Sequence, residues 1–478
     1  MIGAPALAEV LLPSHSGNRV LMRPPSAAHR IRPTASTDAS CRDAPPFMTT
    51  LNEFSSCVTQ YDPQALPVTA AQAIVREWAT PVTAIEHVPL HEALDRVLAQ
   101  DIVSPCNVPA HDNSAMDGYA FQGAALGAQG GTVELSVAGK ALAGHPFNGP
   151  VGLSACVRVM TGASLPQGCD TVVPQELVTR VGETIRFGTN EVRAGANRRL
   201  AGEDLARGSA ALRAGRILRP SDLGLIASLG IAEVPVRRRL RVAFFSTGDE
   251  LRSLGESLDP GCVYDSNRHT LFAMLRRLNI DPLDLGVVRD HPEALEKALR
   301  NAAASADVVL TSGGVSVGEA DLTKQLLQTF GDVAFWSLAM RPGRPLAFGR
   351  VWSGERPGVG LPALFFGLPG NPVAVMVTFY QIVREALLVM SGATAQPVPL
   401  IQATSSEPIR KRAGRTEYQR GVARRNARGQ WQVTPTGSQS SGVLSSMSEA
   451  NCFIVLAHER SDVSVGESVD IMLFDGLI

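Results

Sequence analysis

The chain lacks an excess of charge of either sign: 44 Lys and Arg residues stand against 45 Asp and Glu, for a net charge of -1 over 478 residues. A protein that neutralises a phosphate backbone over a broad face carries a basic excess, so general nucleic-acid binding is excluded while a local anion site is not. Aromatic residues are scarce at 5%, which argues against stacking platforms for single strands. Lysine is nearly absent, with Lys140, Lys297, Lys324 and Lys411 as the whole set, and arginine supplies the other cations. The seven cysteines, at positions 41, 57, 106, 156, 169, 262 and 452, are odd in number and never spaced as CxxC. That disfavours a disulfide framework or a structural zinc site and fits a reducing, cytoplasmic compartment. No 18-residue stretch is cleanly apolar. Residues 364–383 come nearest, but Pro369-Gly370-Asn371-Pro372 interrupts them. They read as a buried strand, a turn and a buried helix, and no membrane partner is expected.

What is present suits a globular protein. The chain is 45% hydrophobic and 19% charged, enough apolar material for real cores, and its length suggests about two to four domains. Residues 1–47 stand apart, with seven prolines, five arginines and no lasting periodicity. No basic residue precedes their apolar run and Glu9 breaks it, unlike a signal peptide. They read as a disordered extension, or as the product of a start assigned too early, with Met48 as the true start.

From Val68 the pattern turns helical, with Ile74, Val75 and Trp78 on one face, and His91–Gln100 reads as a second helix. Residues 106–204 read as a β-rich module of short strands punctuated by Gly and Pro. A helix opened by Ser221 as N-cap follows. Over residues 239–390 strands and helices alternate strictly, which predicts an α/β domain built on a parallel sheet covered on both faces. Residues 393–478 return to strands and turns. The expected organisation is an α/β multidomain protein: an extension (1–47), a discontinuous helical linker domain (65–105 and 205–236), the β-rich module (106–204), the α/β domain (237–392) and a C-terminal β domain (393–478).

In an open parallel sheet ligands bind beyond the C-terminal strand ends, and three such ends carry polar clusters. After DVVLTSGG, residues Ser312, Gly313, Gly314 and Ser316 offer hydroxyls and close-approaching amides to an anion, ahead of a helix N-terminus. The Walker lysine is missing, so this is not a P-loop, and an ordinary strand-to-helix turn is the alternative. After RVAFFSTG come Asp249 and Glu250. These acids could merely cap the next element, or could hold Mg²⁺ together with substrate phosphate, and Asp321 could face the same pocket. The GLPGNP turn delivers the third end. Near it Arg341 and Arg344 suit oxyanion recognition, with surface salt bridges as the alternative. The β-rich module adds Asp117 in a turn-forming loop, Thr161 after a strand, and Arg198-Arg199 near Asp204.

Taken in order, DNSAMDGYA, VMTGA, FSTGDEL, YDSNR, TSGGVSVGEAD, MRPGRPLAFG and GLPGNP span Asp112 to Pro372. This series closely resembles the molybdopterin molybdenumtransferase family, the molybdenum-insertion enzymes that include the C-terminal region of gephyrin. The resemblance runs from about Val68 to the C-terminus. It implies a four-domain, elongated homodimer in which the β-rich module of one subunit faces the α/β pocket of the other. It implies insertion of molybdenum from molybdate into adenylylated molybdopterin, with Mg²⁺ and release of AMP, as a step of molybdenum cofactor biosynthesis. The molybdopterin adenylyltransferase and acceptor molybdoenzymes are implied as further partners.

By motif position the resemblance implies Asp117, Asp204, Asp249 and Glu250 as catalytic acids, and Asp249, Glu250 and Asp321 as metal ligands. It implies Thr161, Ser312, Gly313, Gly314, Ser316, Arg341, Arg344, Arg420 and Ser441 as substrate contacts, with Asp290 a weaker candidate. This chain departs from its relatives after Phe335-Trp336, where many have lysine and it has Ser337. Relatives also often carry lysine where Arg341 and Arg344 stand. Two other readings are an adenylyltransferase that activates molybdopterin, against which the extra β domains argue, and a non-catalytic scaffold, which would have no need of the acid set.

Overall fold

The computed structural model describes residues 51, 65–127, 130–314, 320–394 and 397–476, with residues 320–323 as backbone only. The expectations for residues 1–47, for Ser316 and for the side chain of Asp321 lie outside the described residues.

Helix α1, Val68–Trp78, buries Val68, Ala71, Ile74, Val75 and Trp78, a stripe at helical spacing. The sequence grouped this helix with the linker. Its stripe instead joins the core of the α/β domain, among Phe348, Phe366 and Leu387. The Trp78 indole lies edge-on to Phe348, with ring centroids 6.3 Å apart, and the Arg350 guanidinium sits 4.4 Å above it.

The α/β domain runs β1 (Arg241–Thr247), α2 (Ser266–Arg277), β2 (Asp281–Val288), α3 (Pro292–Ser305), β3 (Val308–Ser312), α4 (Ala320–Phe330), β4 (Gly331–Ser337), β5 (Pro345–Trp352) and β6 (Pro362–Leu368). A continuous helix, α5 (Pro372–Met390), completes it. The six-stranded sheet has the order β2-β1-β3-β6-β5-β4. The first four strands are parallel, whereas β5 and β4 join antiparallel, so the expected parallel sheet is mixed at one edge. Alternate residues of the central strands face opposite layers. Val242, Phe244, Leu310 and Phe366 pack toward α1, α2 and α5, while Ala243, Phe245, Val309 and Phe365 pack toward α3 and α4. Among the described residues one helix, α5, is long and apolar enough to cross a membrane; 67% of its apolar window is buried inside the fold. It is a core helix, as its reading as a buried strand, turn and helix anticipated.

The C-terminal sheet comprises β7 (Ile401–Ser405), β8 (Thr416–Arg425), β9 (Trp431–Pro435), β10 (Cys452–Leu456) and β11 (Ser468–Leu473). Pairing of β8 with both β9 and β10 closes it on itself as a small barrel. Met340–Arg341 pairs in parallel with Thr416–Glu417, and Tyr418, Phe453 and Met472 extend the α/β core into the barrel. The β-rich module is a separate six-stranded sheet that includes Gly118–Phe121, Thr132–Ala141 and Ala155–Val159.

On either side of the module in sequence, Ile85–Pro89 pairs with Glu233–Arg237 and Ile102–Val103 with Ala210–Leu212. The helix expected at His91–Gln100 does not form beyond a single 3₁₀ turn, Leu90–Glu92. Asp95 takes φ 60°, and the amides of Asp95 and Leu98 donate to the Leu218 and Arg216 carbonyls, both at 2.9 Å. Pairing with a distant segment has overridden the local periodicity. Ser221 is not the N-cap of its helix either. That helix runs Pro220–Ser228, and the Asp222 carboxylate accepts from the Arg219 amide at 3.0 Å.

Candidate functional site

A cleft of about 1230 Å³ opens where the C-terminal ends of β1, β3 and β6 meet the barrel. Its walls include Thr247 and Glu250 after β1, Ser312, Gly313 and Gly314 after β3, Pro369 and Asn371 after β6, Arg341 and Arg344 from the β4–β5 connection, and Ser441 from the barrel. Ligand sites in open α/β sheets occupy this position because loops diverge there and helix N-termini converge. Here α2 and α5 both begin at the wall, with Ser266, Asn267 and Pro372 lining it.

The TSGG turn is built for close approach. Gly313 has φ +92°, and a Cβ there would lie 2.6 Å from the Thr247 carbonyl oxygen, so only glycine fits. Asn267 ties two walls together, donating to Ser312 Oγ at 2.8 Å and to the Gly370 carbonyl at 2.7 Å. Several polar atoms remain unpartnered in this wall. Thr247 Oγ1, Asp265 Oδ2 and Asn267 Oδ1 are buried without a hydrogen-bond partner. Asp265 caps α2 through Oδ1, which accepts from the Arg268 amide at 3.1 Å. Its Oδ2 sits 3.6 Å from Arg268 Nε, beyond normal hydrogen-bond range. Buried polar groups left in this state are rare and fit a site that a polar ligand completes.

Three cations also line the cleft. Arg341 and Arg344 are exposed to the cleft. Arg415 joins them, held by Glu417 Oε1 at 2.9 Å from Nε. The loop carrying the first pair is rigid. Gly343 has φ +98°, with room for no Cβ beside Thr378 Oγ1. The Leu338 amide donates to the Arg344 carbonyl at 2.6 Å, and Arg344 Nε donates to Ser337 Oγ at 2.7 Å.

The cleft thus gathers Glu250, Ser312, Gly313, Gly314, Arg341, Arg344 and Ser441. It does not gather all the expected residues. Asp249 is exposed but is not part of the lining; its carbonyl accepts from Arg252 at 2.9 Å and from Arg289 at 3.0 Å. Asp290 is exposed in the following turn, away from the lining. Arg420 is 1% exposed and is not a cleft contact. Its guanidinium donates to the carbonyls of Ser438 at 3.0 Å, Gln439 at 3.3 Å and Ser440 at 2.9 Å, and to Ser446 Oγ at 3.0 Å. Burial, with Arg341 nearby, lowers its pKa to about 10. Its effect on the site is indirect: it holds the 438–440 loop that forms one rim of the cleft.

Asp117, Thr161 and Asp204 lie in and beside the β-rich module and do not line the cleft within the subunit. Asp117 and Thr161 are joined directly, whereas Asp204 is exposed. Sequence reasoning missed Asp265, Asn267 and Arg415 as cleft residues. The first two sit in YDSNR, a quoted motif whose Asp reads as an ordinary helix cap, and Arg415 hides in a run of cations.

Three family descriptions match in sequence order: the MoeA N-terminal region (domain I and II) over residues 66–230, a probable molybdopterin binding domain over 243–388, and the MoeA C-terminal region (domain IV) over 402–474. A molybdopterin molybdenumtransferase of Haemophilus influenzae is 44% identical over 398 residues, covering 83% of this chain and 95% of that protein. The chain belongs to the molybdopterin molybdenumtransferase family. It is an enzyme with a role in molybdenum cofactor biosynthesis. A Nostoc protein of the same designation is 33% identical, covering 80% of this chain and 87% of its own length. The crystal structure of the molybdopterin biosynthesis moeA protein from Pyrococcus horikoshii OT3 superposes with TM-score 0.73 at 29% identity, covering 86% of this chain and all of that one. The likeness covers the α/β domain, the module and the barrel alike, in line with the multidomain α/β architecture expected from the sequence.

Proposed function

We propose that this enzyme inserts molybdenum from molybdate into the dithiolene of adenylylated molybdopterin and releases AMP. The observation that carries the reading is that Arg341 and Arg344 line the same cleft as the Ser312-Gly313-Gly314 turn. Molybdate is a tetrahedral dianion, and converging guanidinium donors suit it. The adenylylated substrate presents a pyrophosphate, which suits glycine amides and helix N-termini. The volume, about 1230 Å³, exceeds the roughly 300–1,000 Å³ typical of small-molecule sites. That room supports a bulky pterin nucleotide with an oxyanion beside it.

Mg²⁺ fits an acid of the cleft. Among the described residues no group of three or more His, Cys, Asp or Glu could hold a metal, but Mg²⁺ is commonly bound by one or two carboxylates together with substrate phosphates. Glu250, exposed in the cleft wall, supplies such a carboxylate, whereas Asp265 Oδ2 is buried beside the Arg268 guanidinium at 3.6 Å. When bound, the ion would offset negative charge on the adenylate. The chain's own groups do the rest: arginines hold the oxyanion, glycine amides hold phosphate, and the Ser441 hydroxyl at the barrel rim offers a further donor. We further propose a cytoplasmic homodimer in which Asp117, Thr161 and Asp204 of one subunit complete the cleft of the other. The molybdopterin adenylyltransferase upstream and acceptor molybdoenzymes downstream are its proposed partners.

The test is AMP release from adenylylated molybdopterin by the full chain, with and without molybdate. Molybdate-dependent release is expected. Release that ignores molybdate, or none at all, would overturn the reading.

A further inference from the structure

We infer that Ser337 is a positioning residue for the oxyanion site, setting the direction in which Arg344 presents its guanidinium. The inference rests on the reading of the cleft as a molybdate site and adds a residue to it. Ser337 ends β4, and its register partner across the sheet is Pro345, the residue after Arg344. The two chains are therefore adjacent at the point where the arginine leaves the sheet. The Leu338 amide donates to the Arg344 carbonyl at 2.6 Å, fixing the backbone. Ser337 Oγ then accepts from Arg344 Nε at 2.7 Å, fixing the side chain.

The geometry has a chemical consequence. A guanidinium has five N–H donors in a planar fork. Engaging Nε from within the protein leaves the Nη groups as the free edge, and Arg344 lines the cleft. A long cation left without that bond samples many rotamers, and ordering it on the anion costs binding. The Ser337 hydroxyl thus orients the neighbouring cation. The Ser337 hydroxyl is partly buried, does not line the cleft, and so acts through Arg344 rather than on the anion.

The test uses full-length wild type, Ser337→Ala, Ser337→Thr, Arg344→Ala and the double variant Ser337→Ala/Arg344→Ala. Molybdate is titrated in the AMP-release assay, with thermal melts alongside. For Ser337→Ala, KM for molybdate is expected to rise roughly tenfold, the scale of a hydrogen bond to a charged group, with kcat and the melting temperature near wild type. Ser337→Thr keeps an acceptor oxygen and should restore KM. The double variant should be no worse than Arg344→Ala, because both changes remove one function. An unchanged KM in Ser337→Ala, or additive losses in the double variant, would overturn the inference while leaving the molybdate reading intact. If wild type itself shows no molybdate-dependent release, the reading of the cleft falls, and the inference falls with it.

Discussion

Asp117 Oδ1 accepts two hydrogen bonds from one residue, Thr161, from its amide and from its hydroxyl, each at 2.7 Å. The pair locks the loop before Gly118–Phe121 to the end of strand Ala155–Val159. The Thr161 amide bond, followed by the hydroxyl bond, holds the Asp117 carboxyl below its ordinary pKa. A carboxyl with a lowered folded-state pKa adds stability above its unfolded value and loses it as pH falls through the folded value. The difference in melting temperature between wild type and Asp117→Asn should therefore be widest near neutral pH. It should close as acid protonates the wild-type carboxyl. A difference that grows in acid would contradict this linkage. In turnover, Asp117→Asn should lose roughly 10²-fold if the carboxylate acts on the transition state.

Glu250 provides the contrasting case. Its carboxylate lies over Gly248, where an added Cβ would meet Oε2 at 2.5 Å, and the residue is exposed in the cleft wall. Glu250→Gln should leave the melting temperature unchanged and lower kcat by roughly 10²-fold with substrate binding retained. A variant that melts early but turns over normally when folded would make Glu250 a structural residue.

Gly313→Ala tests whether the TSGG turn needs its backbone shape. The new methyl would need φ +92° and a position 2.6 Å from the Thr247 carbonyl oxygen, so the turn must shift. Strain of this kind costs about 1–3 kcal/mol. AMP release should fall far more than stability does, because the shifted amides no longer meet the phosphate. Retention of wild-type KM for the nucleotide substrate would remove the turn from the site.

Arg420→Met removes the donor that serves three carbonyls of one loop. Arg420 is buried but Ser438 and Ser440 are exposed, so their carbonyls can turn to water and each bond lost from the charged donor costs toward the low end of roughly 1.5–3 kcal/mol. The barrel should be destabilised by about 3 kcal/mol or more, and KM for molybdate should rise as the rim at 438–440 loosens. Urea unfolding together with molybdate titration reads both effects. A variant with loosened stability and unchanged KM would confine Arg420 to the barrel core.

The parts legible in the sequence are those with local physical signatures. The double-sided burial of β1, β3 and β6 writes itself as continuous apolar runs, and turn glycines mark the strand ends that form the cleft. Strands β4 and β5 escaped because they are joined antiparallel without an intervening helix, and because Gly331, Pro345 and Gly349 obscure their period. Asp95 shows the limit of periodicity: His91–Gln100 has a helical pattern, yet distant partners at Arg216 and Leu218 take its amides. Arg420 shows the limit of motif reading. A cation in a β-strand looks like a binding group, but every residue from Glu417 to Gly421 is buried where the barrel closes. Asp265 was hidden for a different reason, since a cap carboxylate with one unpartnered oxygen cannot be told from a fully engaged cap without coordinates.

The separation of Asp117 from the cleft makes the assembly itself testable. Asp117 belongs to the module and Glu250 to the cleft wall, and within the subunit only Glu250 lines the cavity. If a second subunit supplies the missing acid, each site contains one residue from each chain. A hybrid dimer of Asp117→Asn with Glu250→Gln then holds one site with both lesions and one site with neither. Co-expression with random pairing makes half of the dimers hybrids, so roughly a quarter of wild-type activity should return from two nearly inactive parents. Light scattering on the same sample should give twice the mass of the 50.6 kDa chain. A monomer, or a co-expressed sample no more active than its parents, would place a complete site within one subunit and reduce Asp117 to a residue that shapes its own loop.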